Sequence, residues 1–102
     1  MAEVSCATIM RVLGDETRLG VVKQLLHTPK QVNELNQAIP VSQSLLSHHL
    51  KILRDAGLVI AKRAGKAVLY DISPKFRLPS GINLGCCQLE FDSTEQEGRN
   101  AI

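Results

Sequence analysis

The groups in this 102-residue chain best suited to chemistry are its three thiols. Cys86 and Cys87 are adjacent, behind Leu84-Gly85, and Cys6 stands near the other end of the chain. Consecutive Cα atoms lie about 3.8 Å apart, whereas a relaxed disulfide wants roughly 4.4 to 6.8 Å, so the neighbours are poorly placed to bond to each other. They can instead offer two soft donors to one thiophilic ion. Cys6 is the remaining thiol, and three thiolates suit arsenite or antimonite, whose preference for sulfur follows from softness. A redox switch on the same sulfurs is the second use of such a set. Packing is the third, because cysteine is also a small hydrophobe and the helix around Cys6 needs buried residues. An odd, small number of cysteines argues against a disulfide framework, so reduced thiols are expected.

The other chemically suggestive stretch is polar and basic. On a helix opened by Ser42, Leu46, Leu50 and Leu53 project to one side, which turns Ser44, Ser47, His48 and Lys51 outward. Gln43 lies near the N-terminus, where a recognition helix approaches base edges. Gln pairs with adenine through two hydrogen bonds, Ser bonds bases or phosphates, and Lys51 and Arg54 suit phosphates. His49 falls closer to the buried side than His48, and both are kept among the candidate DNA contacts. Lys62, Arg63 and Lys66 follow on a hairpin. Across residues 42 to 77 these cations, with Lys75 and Arg77, face only Asp55 and Asp71, although the whole chain carries a net charge of just +2.

Of the supporting elements, Glu3 to Leu13 is amphipathic with Val4, Ile9, Val12 and Leu13 on one side. Gly14 breaks it and Asp15 caps a second helix over Glu16 to His27, which Thr28-Pro29 stops. Gln31 to Ala38 is a brief helical pattern ended by Pro40, and the helix from Ser42 runs to Ala56 with Gly57 as its stop. Leu58–Arg63 and Ala67–Ile72 read as strands joined at Ala64-Gly65-Lys66. Pro74, Pro79 and Gly81 argue against a long helix after the hairpin, and Ile82 to Phe91 reads as a strand or an irregular docked segment. Residues 1–91 are expected to form one domain, and 92–102 a flexible polar tail.

Leu13-Gly-Asp-Glu-Thr-Arg-Leu19, Val41-Ser-Gln-Ser-Leu-Leu-Ser-His-His-Leu-Lys-Ile-Leu-Arg-Asp-Ala-Gly-Leu-Val59 and Arg63-Ala-Gly-Lys-Ala-Val-Leu-Tyr70 together resemble the ArsR/SmtB family, over about residues 5 to 73. The resemblance implies a mainly α winged helix-turn-helix with a small β-hairpin. It also implies a homodimer that binds double-stranded operator DNA and represses an operon until an inducer, often a metal ion, weakens binding. No cofactor is then required for DNA binding, and arsenite or antimonite is the expected inducer. The family's thiol site on the helix before the recognition helix is missing, because Gln31 to Ala38 holds no cysteine. Its zinc site on a long C-terminal helix lacks histidines, since none follows His49. Leu-Gly-Cys-Cys is similar to the segment in arsenic-responsive members with C-terminal sites, which makes Cys86 and Cys87 metal ligands and Cys6 a third, from the same or the other subunit.

The sequence carries no nucleophile elbow, phosphate loop, metalloprotease motif or paired catalytic carboxylates, so an enzyme is not expected. A small thiol enzyme or metal carrier using Cys86-Cys87 is the competitor from another class, and DNA binding retained without both cysteines separates the two. One Tyr, two Phe and no Trp leave little surface for stacking single-stranded nucleic acid. The longest apolar runs fall short of a membrane span, so a cytoplasmic protein with no membrane partner is expected.

Overall fold

In a computed structural model, residues 5–91 are described; Glu3 and Val4 of the expected first helix, and the expected flexible tail 92–102, lie outside them. The helices are α1 (Cys6–Leu13), α2 (Glu16–His27), α3 (Val32–Ala38) and α4 (Gln43–Asp55). They begin where side chains satisfy the amides that the first turn leaves without partners. Ser5 Oγ accepts from the Thr8 N–H at 3.2 Å, Asp15 Oδ2 from that of Arg18 at 3.0 Å, and Ser42 Oγ from that of Leu45 at 3.1 Å. Before α3 the Glu34 carboxylate reaches back to the Gln31 N–H at 2.7 Å. Gly57, at φ +84°, closes α4 in the left-handed conformation that an L side chain resists.

The strands are β1 (Val59–Ala64), β2 (Ala67–Ile72), β3 (Arg77–Leu78), β4 (Gly81–Asn83) and β5 (Gln88–Glu90). β1 and β2 pair antiparallel from Val59↔Ile72 to Ala64↔Ala67, leaving Gly65-Lys66 as a two-residue turn. Gly65 has φ +65° and, among the described residues, no non-glycine residue has positive φ, the pattern of a type II′ hairpin turn. Reciprocal backbone bonds between Lys30 and Tyr70 fasten this wing to the chain entering α3. The stretch after the wing is a three-stranded antiparallel meander, β3-β4-β5, with strands at Arg77–Leu78 and Gly81–Asn83 as well as within Ile82 to Phe91, where the sequence suggests a strand or an irregular segment. Two- and three-residue strands carry almost no periodic signal, and their ladder is set by partners instead.

Leu46, Leu50 and Leu53 of α4 sit in the core with Val21, Val22 and Leu25 of α2, Leu35 of α3, Leu58 and Ile72, so α4 lies on the molecule by its leucine stripe. Ile82 and Leu84 of the meander join the same cluster. Asn36 fixes the turn between α3 and α4: its amide donates to the Ile39 and Val41 carbonyls at 3.1 and 2.7 Å. Among the described residues no helix is long and apolar enough to cross a membrane.

Gly81 has no room for a side chain, because a Cβ there would overlap the Leu89 carbonyl oxygen of β5. The clash is with backbone, so it separates the strands rather than displacing a rotamer. Gly81→Ala should therefore cost about 1 to 3 kcal/mol in denaturant unfolding, with amide exchange accelerated first in residues 77–90. An unchanged unfolding midpoint would mean that β4 and β5 are not paired as described.

Candidate DNA interface and thiol site

The polar face of α4 is open: Ser42, Gln43, Ser44, Ser47, His48, Lys51 and Arg54 are all exposed. Leu45 is 43% exposed beside them, an apolar group of the kind that contacts a thymine methyl, with no polar or charged atom to mark it in the sequence. On the wing Lys62, Arg63 and Lys66 are exposed around the turn. Both carboxylates of this basic stretch meet a cation. Lys51 Nζ lies 3.0 Å from Asp55, an exposed pair whose cation can exchange to phosphate at a cost of about 0.2 to 1 kcal/mol, and Lys62 Nζ lies 3.5 Å from the largely buried Asp71. Arg77 is a structural clamp. Its guanidinium donates to Asp71 Oδ1 at 2.7 Å and to the Leu25 and Leu26 carbonyls at 3.2 and 3.3 Å, capping the end of α2 and tying the meander to the wing.

His49 does not belong to the open face, and its place among the DNA contacts is corrected. The ring is buried, at 8% exposure, and its Nδ1 lies 3.1 Å from Arg18 Nη1. Helical phase explains this: His49 shares the side of Leu46, Leu50 and Leu53, one residue behind the outward His48. Arg18 reaches it from α2 while its Nε donates to the Val12 carbonyl at 2.6 Å. The Asp15 carboxylate stands 4.0 Å from His49 Nδ1. The Arg18 backbone N–H, aided by the Arg18 charge and the Thr17 backbone N–H, holds the Asp15 carboxyl below its ordinary value against the opposing effect of burial.

The three sulfurs meet in one chain. Cys6 begins α1, Cys86 and Cys87 lie in the turn between β4 and β5, and all three Sγ atoms fall within 4.8 Å of one another. Successive strand residues point to opposite faces, so an adjacent pair can aim at one point only in a turn. Gly85, at φ +96°, begins that bend; its N–H bonds to Asn83 Oδ1 at 2.9 Å and the Leu84 N–H to the Cys87 carbonyl at 2.9 Å. Cys86 and Cys87 Sγ stand 3.9 Å apart. Three sulfurs bonded to one ion at about 2.3 Å would be separated by about 3.3 to 4.0 Å; Cys86 and Cys87 already stand in that range, while Cys6 and Cys86 reach it only once the bond between them is reduced. Cys6 and Cys86 are joined as a disulfide with Cα atoms 6.3 Å apart, which corrects the expectation of three reduced thiols, and Cys87 is free. The physical reason is the convergence itself, which brings together sulfurs 80 residues apart in sequence.

Residues 15–61 match the model of the family described as bacterial regulatory protein, arsR family. The arsenical resistance operon repressor of Escherichia coli is 40% identical over 67 residues, 65% of this chain and 57% of that protein. Among solved structures, HlyU from Vibrio cholerae is 34% identical with a TM-score of 0.62, covering 66% of this chain and 73% of that one. A homodimeric winged helix-turn-helix DNA-binding domain from Mycobacterium bovis is 26% identical with a TM-score of 0.63, covering 68% and 64%. The chain spans about half to three fifths of the length of the curated relatives it matches.

Asp15 yields a test of the junction beneath α4. Its lowered carboxyl pKa means that it stabilises the fold above the unfolded carboxylate pKa and that this contribution is lost as pH falls through the folded value. Asp15→Ala should lower stability near neutral pH by about 1 kcal/mol through the lost cap, and the gap to wild type should narrow on acidification. A gap independent of pH would show that the carboxylate is not the stabilising group.

Proposed function

Because the chain belongs to the arsR family of bacterial regulatory proteins, we propose that it is a homodimeric, cytoplasmic transcriptional repressor that releases operator DNA when arsenite or antimonite binds Cys6, Cys86 and Cys87. The observation that carries this reading is the convergence of three sulfurs from one chain, the one such group of potential metal ligands among the described residues. A trivalent metalloid takes three thiolates, whereas tetrahedral zinc wants a fourth donor. Cys6 also lies in the first turn of α1, where the positive pole of the helix favours anionic sulfur.

DNA is held by two surfaces of each subunit. Gln43, Ser44, Ser47 and His48 of α4 meet base edges in the major groove, with Ser42, Lys51 and Arg54 against phosphates. Lys62, Arg63 and Lys66 of the wing add affinity that does not depend on sequence. Two such surfaces related by a twofold axis read half-sites about one helical turn apart, the arrangement that the homodimeric relative supports. No cofactor is required for this binding. Release needs an ion that binds the DNA-incompetent arrangement more tightly, since equal affinity for both would shift nothing.

The disulfide favours a second reading, in which oxidation is the signal. A peroxide would convert the Cys6 and Cys86 thiols to a disulfide, taking two electrons and two protons and leaving water and an alcohol, or two waters from hydrogen peroxide. Cys87 separates the readings, because the disulfide does not need it and the three-thiolate site does. DNA-bound protein, fully reduced, should release its operator on addition of arsenite, and Cys86→Ser with Cys87→Ser should abolish release while DNA binding persists. Cys87→Ser alone should weaken the arsenite response and keep the peroxide response. Release of the double variant at the wild-type arsenite concentration would overturn the metalloid reading.

A further inference from the structure

The thiol cluster and the face of α4 are separate places, and the side chain that joins them is Arg18. Cys6 opens α1 and Val12 lies six residues on, about 9 Å along the same helix. Val12 is in the last turn of α1, where carbonyls have no amide left to accept from. Arg18 Nε fills that vacancy at 2.6 Å. The same planar guanidinium presents Nη1 to His49 Nδ1 at 3.1 Å. A guanidinium only donates, so His49 accepts at Nδ1 and carries its ring proton on Nε2. One rigid group thus holds the far end of the helix that begins at the thiol site and the second turn of the helix that presents Ser47 and His48.

We propose that Arg18, through His49, is the positioning residue that transmits the state of the Cys6, Cys86 and Cys87 cluster to the α4 surface. The inference rests on the reading above, that an ion at the thiols opposes DNA at α4. An ion bridging Cys6 to the hairpin turn replaces the Cys6–Cys86 bond by sulfurs held about 3.3 to 4.0 Å apart, which moves the N-terminus of α1 relative to the meander, and an eight-residue helix moves as a unit. The Val12 carbonyl then moves with it. Arg18 cannot keep both acceptors at hydrogen-bond distance unless α4 follows, because its Nε and Nη1 are fixed in one plane. The Asp15 carboxylate, 4.0 Å from the ring, is the other charged group facing His49, and its bond to the Arg18 N–H keeps the start of α2 attached to the same point. A shift of α4 relative to the wing spoils the joint fit of the two surfaces to DNA, and by linkage bound DNA weakens ion binding by the same factor.

The test is a coupling measurement on the full-length reduced protein. Operator affinity is determined with and without saturating arsenite for wild type, His49→Leu, His49→Asn and Arg18→Lys, with arsenite binding followed by the arsenic–sulfur ultraviolet absorption. The ratio of the two affinities is compared, each variant against its own ion-free value. A merely structural role would lower both affinities together and leave that ratio alone. Coupling through the junction predicts that His49→Leu and Arg18→Lys still bind arsenite but lose at least about tenfold of the ratio. His49→Asn, whose Oδ1 can take the place of Nδ1, should recover most of it. If His49→Leu and Arg18→Lys, folded by circular dichroism, keep the wild-type ratio, the junction is not the coupling. If wild type binds arsenite without releasing DNA, the inducer reading fails and takes this one with it.

Discussion

Two neighbouring cysteines cannot direct sulfur to one point from an extended strand, and the architecture beyond the wing follows from how that obstacle is removed. Gly85 takes the chain into the left-handed region at φ +96°, and the bend turns both Cys86 and Cys87 toward Cys6. The bend must then be held. β4 and β5 hold it by pairing Asn83 with Gln88 and Gly81 with Glu90, at a separation close enough that Gly81 tolerates no Cβ. Ile82 and Leu84 anchor the ladder in the common core, so the sulfur-bearing turn is supported by the same apolar cluster that seats α4.

Two arginines connect this arrangement to the DNA-facing elements, and both do so by satisfying carbonyls at helix ends. Arg18 takes the end of α1 and reaches His49, while Arg77 takes the end of α2 and reaches Asp71, itself close to Lys62 of the wing. Charge-assisted bonds of this kind contribute about 1.5 to 3 kcal/mol each when partly buried, several times an exposed pair such as Lys51–Asp55. The described residues leave no buried side-chain nitrogen or oxygen without a partner, so these cations lie in the fold without desolvation penalties left open. The linkage is mechanical as well as stabilising, since a guanidinium with two or three fixed acceptors couples the elements that supply them.

The helices and wing were legible in the sequence because their boundaries are local chemistry. Asp15, Ser42, Pro29, Pro40 and Gly57 stop and start elements by caps and steric limits that need no tertiary partner. α2 and β2 accordingly run over the residues expected, and α4 buries the leucines its spacing assigns. The meander was not legible in that way, since β3 to β5 are defined by pairing across turns. In the sequence Arg77 adds to the basic stretch, because charge there has no direction; three acceptors on α2 and β2 give it one. His49 shows a finer failure. Its phase put it near the core, yet only the arrival of Arg18 from another helix decides what a buried imidazole there is for. Cys6, likewise, was recognisable as a third thiol, but its meeting with Cys86 within one chain depends on the whole intervening fold.

The most direct test of the central claim, that one chain supplies three thiolates to one metalloid ion, is arsenic X-ray absorption on the reduced protein loaded with substoichiometric arsenite. The account predicts a first shell of three sulfurs and no light-atom ligand, saturating at one arsenic per chain, with one sulfur lost in Cys6→Ser. A shell of two sulfurs and an oxygen in the wild type, unchanged by Cys6→Ser, would contradict it.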